Sequence, residues 1–120
     1  MAFRIERTEE VIEVHLWGQG RESEILAILG ELYKMAPRKE VSDLWLVSED
    51  YVVPWDAFST IAKQVRGFLS HDMVAKNSAI VVANQFQMVQ AELYRNEAQG
   101  LPFEIGVFLT REDAVAWLKK

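Results

Sequence analysis

Alternation between strand-period and helix-period stretches is the feature that most restricts how this chain can fold. Residues 3–6 and 12–16 alternate apolar and polar side chains, as half-exposed strands do. The connection between them is short, which predicts an antiparallel hairpin with the first strand at a sheet edge. Apolar runs at 44–47 and 80–83 are typical of parallel strands buried on both faces. Residues 103–109 alternate again and predict a last strand nearer an edge.

Helical periodicity fills the intervals between these strands. It predicts four helices, at 22–36, 54–69, 84–99 and 110–118. Asn84 can cap the third helix, in which we expect Phe86, Val89 and Leu93, together with Met88, to face the core. In the fourth, Thr110 begins a capping box, and Trp117 is expected to be buried against the sheet.

The predicted order is therefore β-β-α-β-α-β-α-β-α. It indicates the α/β class: an N-terminal β-hairpin, then alternating helices and strands, in a mostly parallel five-stranded sheet with four helices. A length of 120 residues fits one domain, so residues 1–120 are expected to form a single unit.

Several chemistries lack the residues that they require. Because there is no cysteine, the chain can hold no disulfide, thiolate nucleophile or zinc–cysteine site. The two histidines, His15 and His71, are far apart in the sequence and do not form a metal-binding pair. The segment Gly18–Gly20 lacks the third glycine of a dinucleotide fingerprint and the lysine of a phosphate loop. We therefore expect neither a metal nor a cofactor.

Charge and hydropathy restrict location and partners. No apolar run approaches the roughly 20 residues that a membrane span needs, and acidic residues scattered through 1–20 exclude a signal peptide. These features predict a soluble, cytoplasmic protein. The net charge is −5, and Lys34, Arg38 and Lys39 form the tightest basic group. Nucleic-acid binding requires a basic stripe, so no nucleic-acid partner is expected.

The longest irregular segment, 48–53, follows the strand that should lie at the centre of the sheet. Open α/β sheets bind their ligands at the carboxyl ends of such strands. Here Ser48, Glu49 and Asp50 are followed by the aromatic residues Tyr51 and Trp55. This combination of carboxylates and apolar side chains makes the five residues the candidate binding site for a ligand or partner.

Alternative interpretations of this segment remain open. Tyr51 and Val53 could instead hold the next helix against the core, or Glu49 and Asp50 could act as an acid–base pair in a small enzyme. Ser48 is not a predicted nucleophile, because it lacks the glycines of a nucleophile elbow. No catalytic residue is assigned.

The C-terminal run FLTREDAVAWL, residues 108–118, resembles the closing strand and helix of the SpoIIAA-like branch of the STAS domains (sulphate transporter and anti-sigma-factor antagonist). Residues 79–82 resemble the penultimate strand of that branch, and the predicted order of elements agrees along the whole chain. The distinctive residues are packing and capping residues, so the resemblance concerns the fold more than the function.

The resemblance implies a non-enzymatic, regulatory module that binds a protein partner or a small apolar ligand. The related Sec14-type fold makes a carrier of an apolar ligand the alternative, and a homodimer is possible. Antagonist members are switched by phosphorylation of a serine within a D-x-S-[GS] stretch, which this sequence lacks. Ser48 lies too early and Ser59 falls inside the predicted helix, so neither is assigned as a phosphosite.

Overall fold

The computed structural model describes residues 3–8, 11–18, 22–33, 42–52, 60–63, 77–100 and 103–119. The strands are β1 Phe3–Arg7, β2 Val11–Leu16, β3 Ser42–Val47, β4 Asn77–Val81 and β5 Glu104–Phe108. The helices are α1 Glu22–Tyr33, α2 at residues 60–63, α3 Gln85–Glu97 and α4 Arg111–Leu118. α2 is the described part of the second predicted helix. The predicted C-terminal end of the first helix, at residue 36, and both predicted ends of the second, at 54 and 69, lie outside the described residues. The order of elements is the predicted one.

The strands form one mixed sheet in the order β1-β2-β3-β4-β5. β1 pairs antiparallel with β2, and every later pair is parallel. The predicted hairpin and the edge positions of the first and last strands are therefore confirmed within the described sheet. β3 occupies the centre, with Leu44 opposite both Glu13 of β2 and Ala79 of β4.

Two apolar clusters cover the two faces of the sheet. Because the parallel strands follow one another in sequence order, right-handed connections place α1, α2 and α3 on one face and leave the other for α4. The first face buries Ile12, Val14, Leu16, Ile25, Ile28, Tyr51 and Ile61. The second buries Leu44 and Ala79 beneath Ala114 of α4.

The fourth strand begins earlier than the sequence pattern predicts. β4 starts at Asn77 rather than residue 80 and ends at Val81. Its polar start is accommodated because the buried Ser78 hydroxyl donates a hydrogen bond to Asp43 Oδ2 of β3, 3.3 Å away. A paired polar group can be buried in a central strand at little net cost, and a search for apolar runs does not detect it.

The predicted orientation of α3 is wrong. Phe86 and Val89 are each 52% exposed and Leu93 is 39% exposed, whereas Gln87 and Gln90 are buried. The helix itself begins as predicted, because the Asn84 side chain accepts a hydrogen bond from the backbone N–H of Gln87. α3 therefore buries two glutamines beside Ala91 and leaves three of the apolar side chains predicted for the core exposed.

The capping interaction predicted for α4 is confirmed. The Thr110 hydroxyl accepts a hydrogen bond from the backbone N–H of Asp113, 3.2 Å away. Ala114 is fully buried, and Trp117, predicted to be buried against the sheet, packs against the same cluster but is only partly buried. Trp117 lies beside Phe108 with ring centroids 5.5 Å apart, at the edge of the sheet, where no further strand of the described chain covers it.

Candidate functional site

Residues 48–52, here called the β3 loop, are fixed to the end of β2. The backbone N–H of Ser48 donates to the carbonyl of Leu16 at 2.9 Å, and that of Val52 donates to Gly18 at 3.1 Å. The loop also closes on itself, since the Tyr51 N–H donates to the Ser48 carbonyl at 3.1 Å. Gly18 has a positive φ of 76°, which suits glycine at the point where β2 turns away. The loop is thus built as a defined surface at the carboxyl end of the sheet.

The two carboxylates of the β3 loop face solvent. Glu49 and Asp50 are both exposed. The Ser48 hydroxyl, which donates to Asp50 Oδ1, is the main cause that lowers the pKa of Asp50, and the backbone of Gly18 adds to the effect. A carboxyl group with a lowered pKa stays ionised at neutral pH. It therefore offers a fixed negative charge and is poorly suited to act as a general acid or base.

Tyr51 turns away from this surface into the core. It is 7% exposed and packs in the cluster that contains Val14 and Ile61. Burial, together with the nearby charge of Glu24, raises the pKa of Tyr51 to about 12. The alternative interpretation of Tyr51 as a core residue is therefore confirmed, while Val53 and Trp55 lie outside the described residues.

The raised pKa of Tyr51 predicts a loss of stability at high pH. The phenol ionises near 10.0 in the unfolded chain but at about 12 in the folded one. Its contribution is therefore complete below pH 10 and is lost as the pH rises toward 12, by about 2–3 kcal/mol in total. Denaturant unfolding at successive pH values should show the wild type losing more stability over this window than Tyr51→Phe. Parallel curves for the two proteins would contradict the assignment.

Gln87 joins the β3 loop to the first turn of α3. Its side-chain amide donates to the carbonyls of Ser48, at 2.7 Å, and Tyr51, at 3.1 Å. Its Oε1 accepts from the backbone N–H of Ala83 at 2.8 Å. The residue is 4% exposed, so these backbone groups are satisfied away from bulk water. This requirement for a polar side chain explains why α3 turns Gln87 inward.

Exposed apolar side chains lie on α3 and at the end of the β3 loop. Phe86, Val89 and Leu93 follow one another at helical spacing and form what we call the α3 stripe. Val52, at the end of the β3 loop, is 52% exposed as well. The β3 loop and the outer side of α3 thus carry exposed apolar side chains, and the loop adds the charges of Glu49 and Asp50.

Sequence reasoning located the β3 loop but missed Gln87 and the α3 stripe. The helical pattern of α3 is compatible with two inward faces, one apolar and one mostly polar. Hydropathy predicts that the apolar face is buried. The mostly polar face is buried instead because Gln87 donates to carbonyls of the β3 loop, which lies 35 to 39 positions earlier in the chain. The one available sequence signal is that Gln87 and Gln90 share a face with Ala91.

Comparison with known proteins bears on the fold. No protein-family model matches the chain, and no curated protein matches it. A solved structure from Shewanella loihica, an uncharacterised protein of the DUF3478 family with a SpoIIAA-like fold, aligns with a TM-score of 0.57 over 98% of this chain and 92% of that one. The fold is SpoIIAA-like. The resemblance seen in the sequence is therefore confirmed at the level of the fold, and with 19% identity the likeness extends no further.

Two further observations concern the SpoIIAA-like chain as far as it is described. None of its described helices is long and apolar enough to cross a membrane. In the same stretches of chain, no three His, Cys, Asp or Glu side chains are grouped closely enough to hold a metal ion.

Proposed function

We propose that this chain is a cytoplasmic, non-enzymatic protein-interaction domain of a regulatory kind, and that it binds its partner through the α3 stripe and the β3 loop. The observation that carries the proposal is the orientation of α3. A helix that buries Gln87 and Gln90 while three large apolar side chains stay outside is better suited to contact another protein than to remain in water. Exposed apolar groups that are rimmed by polar ones commonly mark interaction surfaces.

The charges of the surface define the partner that it fits. Glu49 and Asp50 are exposed on the loop that Gln87 joins to the first turn of α3, and Asp50, whose pKa is lowered, is ionised at neutral pH. A complementary partner therefore presents an apolar face with a basic side chain at its rim, as interfaces commonly do. The hydrogen bonds of Gln87 hold both parts of the surface in one arrangement, which reduces the ordering cost of binding.

The alternatives have less support. An enzyme using Glu49 and Asp50 would need a carboxyl group with a raised pKa, and the pKa of Asp50 is lowered. A carrier of the Sec14 type would need an enclosed apolar cavity. The cavity described beside β5 is an open one that includes the charged side chains of Glu92, Arg95 and Glu104.

A charge placed in the α3 stripe tests the proposal. Val89→Glu puts a carboxylate at the centre of the stripe and should reduce recovery of the bound protein at least about tenfold, because that charge would be desolvated in the interface. Ala116→Glu is the control, since it adds the same group at an exposed position of α4, on the other face of the sheet. The measurement is quantitative affinity purification from cells, followed by titration of the recovered protein against each purified variant.

The expected pattern is one protein retained by the wild type and by Ala116→Glu but lost with Val89→Glu. If the recovered protein bound equally to the wild type, Val89→Glu and Ala116→Glu, the interface would lie elsewhere. Recovery of no protein above background would contradict the proposed function itself.

A further inference from the structure

The two outer strands of the described sheet differ in charge. β1 carries Arg4, Glu6 and Arg7 among its five residues, whereas β5 carries only Glu104, followed by Ile, Gly, Val and Phe. Charged side chains on an edge strand discourage it from pairing with another chain. In the part of the chain that the structure describes, β5 pairs with β4 alone. Its outer edge therefore presents backbone N–H and C=O groups without the protection that β1 has.

A groove follows this edge. The cavity beside β5 measures about 730 Å³ and includes every residue of the strand. The end of α3 and the turn after it form one wall, from Glu92 to Gly100, and Trp117 of α4 forms the other. The edge of β5 is thus recessed between helices that lie on opposite faces of the sheet. A second copy of the chain that paired through β5 would bring its own α3 and α4 against the walls of this groove. A single extended strand carries no such helices and fits between the walls.

The charges of the groove favour a basic occupant. Arg95 forms an ion pair with Glu92, with Nη1 and Oε1 3.6 Å apart. Glu104 lies at the end of the groove where β5 begins. With it, the charged side chains of the groove have one negative charge more than they have positive charges. Phe108 and Trp117 make the opposite end apolar. The groove therefore has a charged end and an apolar end, which gives a bound strand a direction.

We propose that the outer edge of β5 binds an extended peptide segment of a partner protein as an added strand. The segment carries a basic side chain near Glu104 and an apolar side chain against Phe108 and Trp117. Backbone hydrogen bonds along β5 supply affinity, and the two ends of the groove supply specificity. This site shares no residue with the α3 stripe or the β3 loop and does not depend on the function proposed for them.

Selection from a library of linear peptides tests the proposal with a defined probe. Peptides of about twelve residues, longer than the roughly 17 Å that β5 spans, are selected on the full chain. The tightest-binding one is titrated into the isotope-labelled protein. We expect amide shifts concentrated in residues 104–108. Proline is placed in turn at two adjacent central residues of the peptide, and it should lower the affinity about tenfold at the one whose N–H points toward β5, because proline cannot donate to the ladder.

Two charge reversals then separate this groove from the other surface. Glu104→Lys should weaken the peptide about tenfold, and Glu49→Lys, an equal change of charge in the β3 loop, should not alter its affinity. Both positions are exposed, so neither variant disturbs the core. Selection of no peptide, shifts outside 104–108, indifference to Glu104→Lys, or pairing of two copies through β5 without peptide would each overturn the proposal.

Discussion

Replacing Gln87 with Leu should destabilise the folded chain by about 3–4 kcal/mol. The substitution keeps the buried volume but removes the donor to the carbonyls of Ser48 and Tyr51 and the acceptor of the Ala83 N–H. Each buried backbone group left without a partner costs about 1–3 kcal/mol, and part of this is recovered where water can reach the loop. Urea unfolding of the wild type and of Gln87→Leu measures the difference.

Gln85→Leu provides the matched control for this prediction. It makes the same change two positions earlier in α3, where the side chain is exposed. Its effect should stay within about 0.5 kcal/mol, as is usual for surface substitutions. If the two variants lose equal stability, helix propensity rather than the loop contacts would explain the result, and Gln87 would not be what joins the β3 loop to α3.

Replacing Trp117 with Ala should cost about 2–4 kcal/mol. Full burial of a large aromatic side chain would place the loss at 3–5 kcal/mol, and the partial exposure of Trp117 reduces it. Its ring packs against Phe108 and covers Gly106, where an added Cβ would lie 3.3 Å from the indole and 2.7 Å from the Phe108 ring. The glycine thus permits both rings to lie close to the strand.

Trp17→Ala is the comparison for Trp117. Trp17 is 42% exposed, so its removal should cost less than 1 kcal/mol. Equal losses at the two tryptophans, or a loss below 1 kcal/mol at Trp117, would show that α4 does not depend on this contact. Chemical denaturation followed by far-ultraviolet circular dichroism measures both variants without relying on tryptophan fluorescence.

The fold could be predicted because the residues that indicate each helix and strand lie within that element or next to it in the sequence. Strand-period and helix-period stretches fixed the order of elements, and Thr110 and Asn84 were recognised as helix caps from side chains close to the groups that they cap. Two apolar faces on the run at 44–47 correctly indicated a central strand. Each of these signals lies within a few residues of the structure that it predicts.

The parts that could not be predicted depend on contacts between distant positions. The inward orientation of Gln87 is set by carbonyls of the β3 loop, and the early start of β4 depends on the pairing of Ser78 with Asp43. For Tyr51, the sequence left two interpretations open, a residue of the binding site and a core residue. Hydropathy alone assigns polar residues to the surface, so it fails where a buried polar side chain has a partner far away in the chain.

The measurement that tests the central claim most directly is amide chemical-shift mapping with the protein recovered by affinity purification. When this partner is titrated into the isotope-labelled chain, we expect the perturbed amides to cluster at residues 49–52 and 85–93, the positions of the β3 loop and the exposed part of α3. Perturbations confined to other residues, with both of these segments unchanged at saturation, would contradict the claim that this surface is where the domain binds.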